Sequence, residues 1–507
     1  MDLIVLYSFI PEILLSFCIL SQLVFNAFLI TEVKYNFPLI EKEVLIQTAF
    51  FLVCLILLFL DLKIESFFSN FLFLNDYSSI SVKRLILFSS FSILLILARY
   101  FKLQKLNFFE FFNLFLLSIF SLLLLTNCSD MISVYLIIEL QALAFYVLAS
   151  FRRDSAFSTE AGLKYFIAGS FISGIFLFGC SLIYGVFGTL NFNSLLLLLS
   201  FPIENIKLYY LLLIGILLVT TTFLFKISAA PFHFWSPDVY EGSPLASTVI
   251  FSIIPKFALL HFFIKWLSIV SSSFIEISYL LLFSGILSVL LGAFFAIRQK
   301  RLKRFILFSS IAQIGFIVCS LSLISLNSIV AIYFFLFIYV LTSIIVWSHV
   351  SIFYSFKEKI SEFYNKTNTT LFLSNLSNLF KVNKLWSFSF IIIFFSIAGI
   401  PPLSGFLSKI FILFGLIEAN QIMGAFVVVI ISSISVFYYL RVIKILFFES
   451  KVSKLKIENS QIIFNSNLFN LDCLLISIGL FALMYIFFYP SYLLLSCQSI
   501  TLGSFYF

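Results

Sequence analysis

The chain has 507 residues, of which 62% are hydrophobic and only 11% are charged, and its mean hydropathy is +1.15. One globular core cannot bury so large an apolar fraction, which excludes a soluble domain and indicates a polytopic membrane protein. The formal net charge of +8 has an explanation in membrane topology, given below, and does not call for a nucleic-acid partner.

Apolar runs of about 20 residues, the length that a helix needs to cross a hydrocarbon core about 30 Å thick, recur along the chain. They predict an all-α fold with about fourteen transmembrane helices. The first run is long and contains Glu12 without a basic start, so we expect a retained helix and not a cleaved signal peptide. In order, the predicted helices cover residues 4–31, 45–61, 84–101, 108–126, 130–150, 162–187, 207–239, 244–268, 276–297, 304–325, 328–356, 386–417, 421–447 and 470–496.

Predicted helices 7 and 12 are longer than a membrane span requires, and both contain proline: Pro231 in the first, Pro401 and Pro402 in the second. Proline lacks the N–H that the helix ladder uses, so both helices should be broken. Paired broken helices are typical of inverted-repeat transporters. Because the two lie five helices apart, the pattern predicts two inverted five-helix repeats, helices 4–8 and 9–13.

We expect one integral membrane domain over residues 1–507. Its parts are the first three helices (1–107), the first repeat (108–268), the second repeat (276–447) and a C-terminal loop with the last helix (448–507). Within the second repeat, the Asn-, Ser- and Lys-rich stretch 357–385 is predicted to be a surface loop.

Lysine and arginine are distributed unevenly among the predicted connections. Connections after odd-numbered helices hold 22 of them, and connections after even-numbered helices hold 5, including Lys83 and Lys265. By the positive-inside rule, the odd-numbered connections face the cytoplasm or the mitochondrial matrix. Both termini are then on the opposite side of the membrane.

Four lysines and one glutamate lie inside the predicted apolar segments, where a charge costs about 3 kcal/mol on insertion scales and is usually kept for function. The carboxylate lies about 15 Å into its helix, too deep for a short side chain to reach the interface. These candidate catalytic residues are Glu139, Lys164, Lys226, Lys256 and Lys409.

Each candidate also has a structural interpretation. Lys226 and Lys409 lie beside the predicted breaks, where a conducting site would be built, but lysines there can also extend toward the interface. Lys256 follows Pro255 in the middle of its helix. Lys164 lies one turn after Glu160, so a local salt bridge is an alternative for it.

Seven cysteines and three histidines show no ligand spacing, so we expect no iron–sulfur cluster, haem or metal site and no cofactor bound to this chain. His233 and His261 are weaker candidates for carrying protons. An ideal helix places His261 about 140° around from Lys256, so the two should not share a face.

Three segments carry a family resemblance. They are STEAGLKYF at 158–166, FKISAAPFHFWSPDVYEGSP at 225–244 and AGIPPLSGF at 398–406. They resemble subunit 2, mitochondrial type, in the family of antiporter-like subunits of respiratory complex I (NADH:ubiquinone oxidoreductase). The similarity extends over predicted helices 2 to 14, and the second segment is highly specific to these subunits.

The resemblance implies roles for the charged residues. Glu139 and Lys226 would form an ion pair, Lys256 would be a central relay, and Lys409 would end the buried polar axis. Lys164 matches the family's lysine in the sixth helix. The chain departs from the family at Gln313, where relatives commonly have histidine, so a protonatable group is lost from that position.

The resemblance also implies a function: proton translocation within an oxidoreductase complex, driven by quinone reduction in other subunits. The partners would be other membrane-arm subunits, above all neighbouring antiporter-like and small membrane subunits, together with lipids. The 72 phenylalanines and the excess of lysine over arginine are typical of an AT-rich organelle genome and favour the mitochondrial inner membrane over a bacterial membrane, with both termini in the intermembrane space. The plastid relative of this subunit is a further alternative. The alternatives are a cation/proton antiporter subunit of a multisubunit antiporter and a non-pumping structural subunit.

Overall fold

Helices dominate the part of the chain that the structure describes, as the apolar composition predicts. The structure is a computed structural model. It describes residues 9–32, 47–49, 51–56, 66–68, 72–104, 109–202, 205–271, 273–364, 371–377, 380, 383–448 and 470–505. Predicted helix 2 is described only at 47–49 and 51–56, which are helical.

The elements are named in chain order. Two short antiparallel strands are β1 (Ser66–Phe68) and β2 (Phe73–Asn75). The helices in the first half are α1 (Ile10–Glu32), α2 (Tyr77–Gln104), α3 (Phe109–Asn127), α4 (Met131–Ala149), α5 (Ala156–Phe187), α6 (Phe192–Leu199), α7 (Ile206–Lys226), α8 (Trp235–Gly242) and α9 (Leu245–Val270). Those that follow are α10 (Ile275–Arg298), α11 (Leu302–Leu321), α12 (Leu326–Tyr364), α13 (Lys384–Ala398), α14 (Ser404–Glu418), α15 (Ile422–Phe448), α16 (Asn470–Phe488) and α17 (Ser491–Phe505).

Among the described residues, 11 helices are long and apolar enough to cross a membrane. The chain is therefore a multi-pass membrane protein. The predicted count of fourteen stays a prediction, partly because the halves of predicted helix 12 contain 15 residues each. A helix of that length is only about 22 Å long, shorter than the hydrocarbon core.

Both predicted helix breaks are confirmed. Helix α7 ends at Lys226 and helical structure resumes at α8, and the segment between them contains Ser228 with a φ of 63° and a cis Ala230–Pro231 bond. Helix α13 ends at Ala398 and α14 begins at Ser404, with a cis Pro401–Pro402 bond between them. In each predicted repeat, the broken helix is the fourth long element.

Several sequence predictions need correction. Predicted helix 14 consists of two helices, α16 and α17, which are separated at Tyr489 and Pro490 because proline interrupts the apolar run. The β1–β2 hairpin and the short helix α6 lie in predicted connections, since apolar runs this short carry no membrane-span signal. The described part of the chain is thus helical with one small hairpin.

The predicted surface loop 357–385 is also partly wrong. Its first residues continue α12 to Tyr364, and 365–370 lie outside the described residues. Leu371 and Leu373 are buried, and their backbones hydrogen-bond with Leu302 and Lys300. Residues 371–373 are therefore held against the start of α11.

Contacts divide the chain into two compact units: the first is Met1–Leu94, Lys105–Leu281 and Ser496–Phe507, and the second is Leu95–Gln104 and Leu282–Leu495. The first unit contains the first predicted repeat, and the second contains most of the second repeat. In the first unit α9 is central, because its membrane-spanning window is entirely buried and it contacts α3, α4, α6, α7 and α8. The helix that carries Lys256 is thereby enclosed by protein.

Candidate functional site

Glu139 and Lys226 lie close together in the first unit, on α4 and at the last residue of α7. They are near enough to interact electrostatically. No ion pair with an N–O distance of 4.0 Å or less joins them within the described structure, and Glu139 Oε1 is buried there without a hydrogen bond. The pair that the resemblance implies is therefore present as neighbouring charges that are not in contact.

Lys226 borders two small cavities. One, of about 10 Å³, lies among aromatic and hydroxyl side chains that include Tyr135, Ser173 and Thr222. The other, of about 20 Å³, is lined by both Lys226 and Lys256. A cavity of this size holds about one water molecule, so a single water can bridge part of the distance between the two lysines.

Lys256 reaches the break between α7 and α8. Its Nζ atom donates to the carbonyl oxygen of Ile227 at 3.5 Å. Ile227 follows directly on the last residue of α7, where carbonyl groups no longer have partners within the helix. The break thus supplies an oxygen for a buried ammonium group on the central helix.

Side chains of α8 donate hydrogen bonds to two further carbonyl groups near the site. Pro255 cannot donate to the carbonyl of Phe251, four residues earlier, and the hydroxyl of Tyr240 donates to that oxygen instead at 3.1 Å. Trp235 Nε1 donates to the carbonyl of Phe225 at 3.0 Å. These bonds fix α8 against α7 and α9 and so set the shape of the cavity between the lysines.

Lys409, on α14 in the second unit, also binds a carbonyl at a helix break. Its Nζ atom donates to the oxygen of Ala398, the last residue of α13, at 2.7 Å, and lies 5.4 Å from the ring centre of Phe316. Gly399 has a φ of +83°, and a Cβ there would lie 3.0 Å from Lys409 Cδ. Glycine therefore lets the lysine side chain pass close to the backbone.

Gln313 lies at the Lys409 site. Both line a cavity of about 10 Å³ together with Tyr339 and Thr342. The departure from the family at this position thus places an amide, which does not titrate, in the same cavity lining as the partly buried Lys409. Hydroxyl side chains, including those of Tyr339 and Thr342, line the same cavity.

Lys164 is not part of the buried group. Its side chain is 47% exposed, and its Nζ atom pairs with Glu160 at 2.7 Å and with Asp238 at 3.1 Å. The local pair with Glu160 expected from the i, i+4 spacing is present. Lys164 joins α5 to α8 at the surface of this chain.

The two weaker histidine candidates are both buried. His233 lies in the break and stacks on Phe234, with ring centres 4.7 Å apart. Neither His233 nor His261 lines the cavity between Lys226 and Lys256 in the part of the chain that is described. The structure therefore brings together Glu139, Lys226 and Lys256 and places Lys409 at a similar site in the second unit.

Two further buried lysines do not lie where the sequence predicts them. Lys83 and Lys265, predicted to lie in connections, lie within α2 and α9 with exposed side-chain fractions of 0% and 1%. Lys83 pairs with Glu12, and Lys265 pairs with Asp76 at 3.0 Å. The signal in the sequence is a lysine near the end of an apolar run, which does not distinguish burial from an interfacial position.

A family comparison places the chain among known proteins. The family described as "NADH:quinone oxidoreductase/Mrp antiporter, TM" matches residues 128–435, which include the region from Glu139 to Lys409. A relative from Marchantia polymorpha, "NADH-ubiquinone oxidoreductase chain 2", is 34% identical over 503 residues and covers 97% of both chains. "NADH-quinone oxidoreductase subunit N" of Pelagibacter ubique is 35% identical over 446 residues and covers 87% of this chain and 89% of the relative.

The fold has close counterparts among solved structures. A chain of respiratory complex I from Thermus thermophilus superposes with a TM-score of 0.71 at 22% identity, covering 93% of this chain and 97% of that one. At this identity the likeness concerns the fold alone, and the family assignment rests on the sequence matches. The chain belongs to the transmembrane family of NADH:quinone oxidoreductase and Mrp antiporter subunits, among the antiporter-like subunits of complex I known as chain 2 or subunit N.

Proposed function

We propose that this chain translocates protons across the membrane as an antiporter-like subunit of respiratory complex I, NADH:ubiquinone oxidoreductase. Electron transfer belongs to other subunits of that enzyme. The observation that carries the proposal is the arrangement of Lys226 and Lys256 around one small cavity at a helix break. Buried ionisable groups in a membrane segment are kept for moving or binding charge.

Glu139 controls the charge on Lys226 in this proposal. A carboxylate close to an ammonium group stabilises the charged forms of both, and separating the two removes that stabilisation. The two side chains interact without touching, so a small movement of α4 or α7 changes the interaction. Quinone reduction in other subunits would drive this movement, and Lys226 would release its proton when Glu139 moves away.

Lys256 receives the proton through the shared cavity. The Ile227 carbonyl stabilises the ammonium form of Lys256, since oxygens at a helix C-terminus carry partial negative charge. Lys409 is the corresponding acceptor in the second unit, at the Ala398 carbonyl. Each charge moved against the membrane potential costs about 2.3 kcal/mol per 100 mV, so the site must never open to both sides at once.

Location and partners belong to the same proposal. The chain would lie in the mitochondrial inner membrane with both termini in the intermembrane space, supported by the uneven distribution of lysine and arginine. Its partners would be neighbouring antiporter-like and small membrane subunits, and lipids. Large apolar side chains are exposed on several helices, for example Phe171 on α5, Phe426 on α15 and Phe481 on α16. Such side chains suit contact with another membrane subunit or with lipid.

A cation/proton antiporter subunit of a multisubunit assembly is the second candidate, because the matching family also contains Mrp antiporters. Both candidates use the same lysines, Lys226, Lys256 and Lys409. Purification in mild detergent distinguishes them: a complex I subunit co-purifies with flavin and iron–sulfur absorbance, and an antiporter subunit does not. A non-pumping structural subunit would co-purify in the same way but would tolerate the loss of Lys226.

The proposal is tested by Lys226→Ala in the intact complex. Proton translocation per electron should fall, while assembly on a native gel and NADH oxidation by ferricyanide remain. Lys207→Ala, at the exposed start of the same helix, is the matched control and should pump normally. Normal pumping by Lys226→Ala in an assembled complex would leave the chain with a structural role.

A further inference from the structure

One side of α5 faces away from the rest of the first unit. The helix packs against α4, α7 and α8, and 39% of its membrane-spanning window is buried in the chain. At about 100° per residue, every residue between 160 and 185 that lies within about 40° of Gly174 on the helix surface is exposed. These residues, here called the α5 outer face, are Glu160, Leu163, Ile167, Ser170, Gly174, Phe178, Ser181 and Gly185.

Small residues run along the middle of the α5 outer face. Ser170 and Gly174 are four residues apart, and Ser181 and Gly185 repeat this spacing about three turns further on. A Cβ at Gly174 or Gly185 would meet nothing within 4 Å, so the space beside both is open. Small residues four apart let two membrane helices approach closely, because packing drives their association in lipid. The shape of this face therefore suits a second transmembrane helix.

A group of charges lies at one end of the α5 outer face. Glu160 binds Lys164, which also binds Asp238 of α8, and their side chains are 59%, 47% and 42% exposed. These two carboxylates and one ammonium group carry a net charge of −1. Phe157 and Phe234 precede Glu160 and Asp238 by one helical turn and are 69% and 76% exposed. The charges therefore interrupt a largely apolar surface.

Two other occupants explain these features less well. Lipid tails cover an apolar helix without any need for small residues or for a charged group. A second copy of this chain, packed with its α5 parallel at Gly174, would bring two groups of net negative charge to the same level, and like charges at an interface repel. A partner that carries positive charge at this level meets no such repulsion.

We propose that the α5 outer face docks a transmembrane helix of another subunit, which packs closely at Gly174 and carries a lysine or arginine at the level of Glu160. The partner's cation would offset the excess negative charge of Glu160 and Asp238. The inference deepens the proposed function and rests on it, since it requires that the chain works within a complex of several membrane subunits.

The packing is tested by Gly174→Leu. The leucine side chain enters space that this chain leaves open, so the chain should still accumulate in the membrane on an immunoblot. A native gel with mass spectrometry should show that a neighbouring subunit is lost from the complex. Leucine is needed because alanine is itself small enough for close helix packing. Ser433→Leu, at an exposed position in the middle of α15, is the matched control and should assemble normally. A complete complex with Gly174→Leu would overturn the proposal.

The charge is tested by Glu160→Gln/Asp238→Asn. This double variant leaves Lys164 as the remaining charge of the group, so the group becomes positive and should repel the partner's cation. The same subunit should be lost as with Gly174→Leu. Glu276→Gln/Glu418→Gln removes two exposed carboxylates elsewhere and should assemble normally. Full retention of every subunit by the Glu160→Gln/Asp238→Asn variant would overturn the proposal, and this test decides if Gly174→Leu does not accumulate.

The partner is identified by photocrosslinking. Benzoylphenylalanine replaces Phe178, which is 57% exposed on the α5 outer face, and the assembled complex is irradiated. The crosslinked peptide should come from a transmembrane segment of a different protein, and that segment should contain a lysine or arginine. Crosslinks to lipid alone, to a second copy of this chain or to a segment without a cation would each overturn the proposal.

The readouts keep the two proposals apart. Docking is read from the subunits that remain in the complex, and the proposed function is read from proton translocation by Lys226→Ala, which should keep all of its subunits. Normal pumping by Lys226→Ala counts against the proposed function alone. A complete complex in the Gly174→Leu variant counts against the docking site alone.

Discussion

The Nζ atom of Lys256 lies 3.5 Å from the carbonyl oxygen of Ile227, so a lysine on the central helix of the first unit reaches the break in a neighbouring helix. Lys409 contacts the carbonyl of Ala398 in the same way, at 2.7 Å, within its own broken helix. A carbonyl at a helix end stabilises an ammonium group by its partial charge and stays neutral when the proton leaves. In each unit, a proline-containing helix break thus presents a carbonyl oxygen that accepts a hydrogen bond from a lysine side chain.

Replacing Glu139 with glutamine removes the charge that acts on Lys226 and preserves the shape of the side chain. We expect an assembled complex with strongly reduced NADH-driven proton pumping, because Lys226 no longer senses a moving carboxylate. Proton-to-electron stoichiometry in vesicles is the measurement. Glu418→Gln, an exposed carboxylate on α14, is the control. A normal ratio in Glu139→Gln would make Glu139 a structural residue.

Lys409 should not tolerate arginine. A guanidinium group keeps its proton at any physiological pH, so a proton relay predicts that Lys409→Arg fails nearly as badly as Lys409→Ala. An electrostatic role predicts instead that arginine rescues pumping. Both variants are compared by proton translocation after assembly has been checked on a native gel, with Lys384→Arg and Lys384→Ala as exposed controls. Full pumping by Lys409→Arg would remove Lys409 from the proton path.

Gly399→Ala should destabilise the second helix break. Its φ of +83° costs an L-residue about 1–2 kcal/mol, and the new Cβ would lie 3.2 Å from Lys409 Nζ. We expect lower thermal stability and weaker pumping. Gly174→Ala, which meets nothing within 4 Å on α5, should be neutral or slightly stabilising. Equal melting temperatures for the two variants would show that the backbone at Gly399 is not restrictive.

The hydroxyl of Tyr240 should matter because of Pro255. Tyr240→Phe leaves the carbonyl of Phe251 buried without this donor, at a cost of about 1–3 kcal/mol. In a Pro255→Ala background the backbone N–H of residue 255 can bond to that carbonyl, so the same substitution should cost less. A double-mutant cycle on thermal unfolding measures the coupling. Additive effects would mean that the hydroxyl does not compensate for the proline.

The membrane orientation is testable at the basic connection 298–304. The distribution of lysine and arginine predicts that this connection faces the matrix and that both termini face the other side. Trypsin added to oriented vesicles should cleave after Lys300, an exposed residue, only from the matrix side. Cleavage from the same side as the C-terminus would reverse the predicted topology.

The sequence by itself determined that the protein lies in a membrane, which segments form most of its helices, and where two of these helices are broken. Apolar runs of about 20 residues have one stable solution in a bilayer, and proline removes a donor wherever it occurs, so both features can be recognised locally. The charges at Glu139, Lys226, Lys256 and Lys409 were recognisable for the same reason, since they stand inside such runs. The resemblance then implied roles for them.

Only the tertiary structure decided which charges meet. Lys83 and Lys265 lie near the ends of apolar runs, where a lysine can face water or protein, and only the packing of α1, α2 and α9 buries them beside Glu12 and Asp76. Lys164 also lies near one end of its run, at the third residue of predicted helix 162–187, and its side chain is half exposed. Burial depends on which neighbours cover a helix face, and those neighbours can be distant in the chain, as are Asp76 and Lys265, which lie 189 residues apart. No local pattern can contain that information.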